Sequence, residues 1–91
     1  MSEPVKVSVS PTPNPNAMKF TLNRRVTERS MTYVSPRSAD VDPAAKALFA
    51  LPGVTSLFYL NDFITVSKKP DADWNAIVPS AEAILKEHFA Q

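Results

Sequence analysis

The sequence predicts an α+β domain: a two-layer sandwich in which a mostly antiparallel sheet of four to five strands carries two helices on one face. Three observations lead there. Short runs in which apolar and polar residues alternate recur along the chain, the period of half-buried strands. Two other segments place apolar residues at intervals of three and four behind a capping aspartate, the pattern of core-facing helices. The chain has 91 residues, enough for one domain (1–91) near the lower end of the size range that folds on a single core.

The elements follow in order. VKVSVS (5–10) sets Val5, Val7 and Val9 against Lys6, Ser8 and Ser10. AMKFTLN (17–23) repeats the alternation with Met18, Phe20 and Leu22 opposite Lys19, Thr21 and Asn23. Each run has one apolar face, so both belong to a sheet with one solvated side. SMTYVS (30–35) is a candidate third strand after the polar, basic connection NRRVTERS (23–30). A short helix begins at Asp42-Pro43, where aspartate caps and proline forfeits no needed hydrogen bond. Ala44, Ala47, Leu48 and Leu51 form its stripe, and Pro52-Gly53 stops it. VTSLFYL (54–60) and FITVSK (63–68) flank Asn61-Asp62, whose residues tolerate a tight reversal, so a hairpin is expected. Its apolar residues fall on both faces (Phe58 and Leu60 on one, Leu57 and Tyr59 on the other), which suits central strands. The last helix is capped by Asp71 or Asp73, with Trp74, Ile77, Val78, Ala81, Ile84, Leu85 and His88 on one stripe. Pro79 interrupts that stripe. An interior proline removes a backbone bond to Asn75, so a bend is expected there rather than an end.

Composition excludes several chemistries. There is no cysteine, hence no disulfide, thiolate nucleophile, Cys-ligated zinc or Cys-ligated cluster. One histidine, His88, and one glycine, Gly53, argue against a His-based metal site and against glycine-rich phosphate cradles. No apolar run approaches the ~20 residues that span a bilayer, and the N-terminus lacks a signal-peptide core. A soluble, cytoplasmic, monomeric protein is the expectation, with no membrane partner. Net charge is +1, yet residues 1–37 carry +4 and residues 38–91 carry −3. Such asymmetry can mark an oriented interaction surface, although helix caps and solvated faces produce it more often.

Individual candidates read mostly as structure. His88 could be a ligand or base, but at a helix C-terminus on an apolar stripe it reads as a partly buried histidine facing the last carbonyls. The pairs Asp71/Asp73 and Asp40/Asp42 could hold a hard cation. Each precedes a helix, and capping explains them better. No serine or threonine lies in a nucleophile-elbow context, so neither catalytic nor metal-ligating residues are assigned. Lys6, Lys19, Arg24, Arg25 and Arg29, with Phe20 and Tyr33 nearby, leave a small nucleic-acid-binding module as the alternative reading. Phe20 shares a strand face with Met18 and Leu22, and a net charge of +1 attracts phosphates weakly, so nucleic acid is the lesser expectation.

PTPNPN (11–16) stands apart. Prolines at 11, 13 and 15 push Ser10, Thr12 and Asn14 toward extended conformations, so the segment is expected to be stiff and nearly extended. Asn14 and Asn16 can bond local backbone or accept a left-handed conformation, reversing the chain into the strand at Ala17. Two readings stand: a rigid connection, or a preorganised polar surface that presents asparagine amides and Lys19 to a partner.

Three segments carry a resemblance: TPNPNAMKF (12–20), LFALPGVTSLFYLNDFITVSK (48–68) and DWNAIVPSAEAILKEHF (73–89). Together they resemble the amino-terminal domain of Nfu/NifU-type iron–sulfur cluster scaffold proteins, over nearly the whole chain and in the same order. The resemblance implies the same two-layer fold and a non-catalytic, protein-binding part in cluster assembly or delivery. It also implies partner-binding residues at Pro13, Asn14, Pro15, Asn16, Lys19 and Phe20, with Asp62 and Phe63 at the hairpin. In the two-domain scaffolds a CxxC motif of a separate carboxy-terminal domain holds the cluster. This cysteine-free chain departs from that pattern, so no cofactor is expected on it alone. Any iron–sulfur cluster belongs to the partner: a scaffold, carrier or client protein.

Overall fold

The computed structural model describes residues 5–27, 29–35, 37–38 and 42–89. Its elements run β1 (Val7–Pro11), β2 (Ala17–Leu22), β3 (Met31–Tyr33), α1 (Pro43–Phe49), β4 (Val54–Leu60), β5 (Phe63–Lys68) and α2 (Trp74–His88). The five strands form one antiparallel sheet in the order β1-β2-β5-β4-β3. The α+β expectation holds, with SMTYVS supplying an edge strand of three residues. The hairpin β4–β5 lies inside the sheet, as its two apolar faces imply. Pro11, which cannot donate to a ladder, closes the opposite edge strand β1.

Register sorts the side chains into two faces, because successive residues of a strand point to opposite sides. Val9, Phe20, Ile64, Tyr59 and Met31 lie in one row across all five strands, and Pro11, Met18, Val66, Leu57 and Tyr33 in the next. These rows meet Ala45 and Leu48 of α1 and Ala81 and Leu85 of α2 in one core. Phe20, Leu48, Ile64, Val66, Ala81 and Leu85 are fully buried there.

Each helix starts as its cap requires. Asp42 accepts from the Ala44 amide and Asp73 from the Asn75 amide, which selects Asp73 over Asp71. Asp40 lies outside the described residues. Helix α1 buries Ala44, Ala45 and Leu48, so Ala45 takes the core position expected of Ala47, and Leu51 follows beyond the helix end. Helix α2 continues through Pro79, which is exposed, to His88. Gly53 has φ +86, and a Cβ there would collide with the Cβ of Ala72. None of the described helices is long and apolar enough to cross a membrane.

Tyr33 and Tyr59 meet edge-on, their ring centroids 5.4 Å apart at 73°. Burial, and then the charge of the Asp42 carboxylate, hold the Tyr59 phenol well above its ordinary value; the same two causes raise Tyr33. The Tyr59 hydroxyl is buried with no hydrogen bond of good geometry, and Asp42 acts on it first through charge and last through a weak side-chain hydrogen bond.

Candidate functional site

The face of the sheet away from the helices carries the candidate site. Across it run Ser10, Lys19, Thr65, Phe58 and Thr32 in one row and Ser8, Thr21, Phe63 and Leu60 in the next. Phe63 on β5 sits diagonally between Lys19 on β2 and Phe58 on β4. The Lys19 ammonium lies 4.2 Å from the centre of the Phe63 ring, within cation–π range. The Phe58 ring stands 6.4 Å from that of Phe63, tilted by 58°. Phe58 is 36% exposed, unusual for so large an apolar side chain in an inner strand. The result is an apolar patch with one cation at its side, framed by serine and threonine side chains.

The structure separates the residues that the resemblance grouped. Lys19 and Phe63 meet on this open face. Phe20, one position along, is fully buried on the helix-covered face. Strand alternation forbids it from sharing a surface with Lys19, so Phe20 supports the site from beneath and does not line it. Asp62 lies in the turn at the far end of β5, beside a shallow hollow of about 570 Å³ lined by Leu22, Asn23, Arg24, Arg25 and Asn61. Asn61, the first turn residue, takes φ 50.

Pro13, Asn14, Pro15 and Asn16 occupy the opposite end, in the loop joining β1 to β2. That loop is a compact reversal and not the extended segment expected from its prolines. The Thr12 hydroxyl donates to the carbonyls of Asn14 and Ala17, at 2.9 and 3.0 Å. The Asn14 side-chain oxygen accepts from the Asn16 amide at 2.9 Å, and Ala17 N–H closes a turn onto the Asn14 carbonyl. Neither asparagine has a positive φ. Of the two means expected for the reversal, local side-chain bonding to the backbone makes it, through Asn14, and a left-handed residue does not.

Two residues missed in the sequence fasten this loop. Lys68 is buried, donating to the Asn16 side-chain oxygen and the Lys69 carbonyl, both at 3.2 Å, with its ammonium 5.5 Å from the centre of the Trp74 ring. Trp74 donates its indole N–H to the Pro15 carbonyl at 3.0 Å. The alternation Ile64, Val66, Lys68 was the available signal, since it places a lysine in line with core residues. Phe58 was also missed. Its signal was its parity, opposite to Leu57 and Tyr59.

The basic residues of the first half do not converge. Arg24 reaches the helix side, where it donates to the Phe89 carbonyl at 2.8 Å, while Lys19 is on the open face. His88 is exposed as the last residue of α2, beyond Leu85, the last buried position, and not partly buried as expected.

Comparison with known proteins gives one family. Residues 7–91 match the family described as "Scaffold protein Nfu/NifU N terminal". The chain is 40% identical over 86 residues to the human "NFU1 iron-sulfur cluster scaffold homolog, mitochondrial", covering 92% of this chain and 34% of that protein. It is 35% identical over 85 residues to "NifU-like protein 5, mitochondrial" of Arabidopsis thaliana, covering 92% of this chain and 31% of that one. The chain thus spans about a third of the length of these curated relatives. Among solved structures, the NMR structure of a NifU-like protein from Saccharomyces cerevisiae superposes with a TM-score of 0.85 at 26% identity, covering 94% of this chain and 79% of that one. A crystal structure of a Staphylococcus aureus protein gives 0.74 at 38% identity, covering 88% and 98%.

The chain has no cysteine, and among the described residues no three His, Asp or Glu side chains gather as a metal-holding group. This donor set does not fit a thiolate-ligated iron–sulfur cluster.

Proposed function

Because the chain belongs to the Nfu/NifU scaffold N-terminal family, we propose that it is a non-catalytic protein-interaction domain. In this reading it assists iron–sulfur cluster assembly or delivery by binding a cluster-carrying scaffold or client protein. The cluster stays on the partner throughout, and this chain, a cytoplasmic monomer, binds no cofactor of its own. The observation that carries the reading is the open sheet face: an inner-strand phenylalanine left 36% exposed beside the Lys19–Phe63 pair. An apolar patch carried on regular strands is preorganised for a protein ligand, since the backbone that presents it is already ordered by the sheet. Isothermal titration against a CxxC-bearing scaffold carrying its cluster, and against a cluster-receiving client, tests it. Saturable binding to one of them is expected, with no cluster absorbance appearing on this chain after separation. Absence of binding to both contradicts the reading.

A further inference from the structure

The charges of the sheet layer point to the kind of segment that docks there. Lys19 is the one charged side chain among the open-face positions of the five strands, and Lys6 extends that alternation at the β1 corner. Among the described residues Lys19 has no carboxylate within ion-pair distance; its ammonium rests on the Phe63 ring. The described carboxylates lie elsewhere. Asp42, Asp71, Asp73, Glu82 and Glu87 belong to the helices and the turns before them, and Asp62 to the hairpin turn. The helix layer carries both signs, Lys46 and Lys86 among the carboxylates, whereas the open sheet face carries cations alone, Lys19 with Lys6 at its corner. Complementary charge steers a partner's approach and fixes its register.

We propose that the open sheet face receives an acidic protein segment bearing a large apolar side chain, its carboxylate on Lys19 and its apolar group against Phe58 and Phe63. The inference rests on the partner-binding reading for the class of ligand and adds the chemistry that the ligand must present. A half-buried lysine stacked on a ring is already partly desolvated and held in place, so a carboxylate meets an ordered donor and forms a charge-assisted bond. The Phe58 and Phe63 rings beside it give an apolar group surface to cover, which a carboxylate alone would not use. The surrounding serine and threonine side chains add neutral hydroxyls and no repelling charge. A nucleic acid fits less well, because every nucleotide brings a phosphate and the face offers no track of cations to follow it.

Selection of a phage-displayed random dodecapeptide library on the immobilised full chain tests the proposal, with each enriched clone re-bound to variants. Peptides combining Asp or Glu with a nearby Leu, Phe or Trp are expected. Their retention should fall at least tenfold on Lys19→Met and on Phe58→Ser, and hold on Lys19→Arg. Thr65→Glu is the second test of charge. Position 65 pairs directly with Lys19 on the open face, so the new carboxylate occupies the lysine without touching the core and should also release the peptides. Matching thermal melts of the variants exclude unfolding as the cause. Enrichment of neutral or basic peptides, no enrichment, equal retention on all variants, or tighter binding of a twelve-nucleotide oligouridylate would each overturn the proposal. A scaffold that binds wild type and Thr65→Glu equally leaves the partner-binding reading intact and removes this one. Acidic peptides that bind the face while neither scaffold nor client binds do the reverse.

Discussion

Trp74 donates its indole N–H to the carbonyl oxygen of Pro15 at 3.0 Å, joining residues 59 positions apart. The bond ties the first turn of α2 to the proline-rich loop between β1 and β2. Lys68 completes the clasp through Asn16. Trp74→Phe keeps an aromatic ring but loses the donor, so stability should fall by about 1 kcal/mol in urea denaturation. Amide resonances of Asn14, Asn16 and Ala17 should move, while those of Leu48 in the core stay.

Gly53 stands where a side chain has neither the backbone conformation nor the space. With φ +86 and Ala72 against the missing Cβ, Gly53→Ala combines left-handed strain with overpacking. A loss of about 2–4 kcal/mol is expected in chemical denaturation. An unchanged midpoint would mean that the turn after α1 is not held as described.

Pro79 lies exposed within α2, where its ring leaves the Asn75 carbonyl without its helical donor. Pro79→Ala restores the donor and should raise stability by about 1–3 kcal/mol. Thermal unfolding reads this directly, and a lower melting temperature would contradict it.

Tyr59 predicts a pH response. Its phenol is raised in the folded chain by burial and by Asp42, while the unfolded chain keeps the ordinary value of 10.0. A raised value means that the folded state holds the proton more tightly. The contribution is fully present below pH ~10 and is lost as pH rises beyond it, at up to about 1.4 kcal/mol per pH unit. Tyr59→Phe removes this slope together with a buried hydroxyl that makes no hydrogen bond of good geometry, so its stability should decline less steeply between pH 10 and 11. Urea titrations of the two proteins at pH 8, 10 and 11 measure the difference.

The parts of the fold legible in the sequence were those set by local pattern. VTSLFYL and FITVSK announce their own pairing through Asn61-Asp62, and the structure closes them with Leu60 opposite Phe63. Asp42-Pro43 likewise marks the start of α1 from a cap that acts within two residues. The loop at 12–16 was misread because each proline restricts its own neighbour, whereas the reversal is made by Thr12 and Asn14 bonding across several residues. The burial of Lys68 depends on Trp74 and Asn16, which no local window contains. At the candidate site, Lys19 and Phe63 could be named from the resemblance. Their meeting through a diagonal of β2 and β5, and the place of Phe58 beside them, required the register.

The most direct measurement of the central claim is residue-resolved. The isotope-labelled chain is titrated with a cysteine-bearing scaffold carrying its cluster, or with a client, and amide shifts are followed by NMR. Partner binding through the open face predicts changes concentrated at Lys19, Phe58, Phe63 and Thr65, with Ala81 and Leu85 of α2 unmoved. Shifts confined to α1 and α2, or no shifts with either partner, would contradict it.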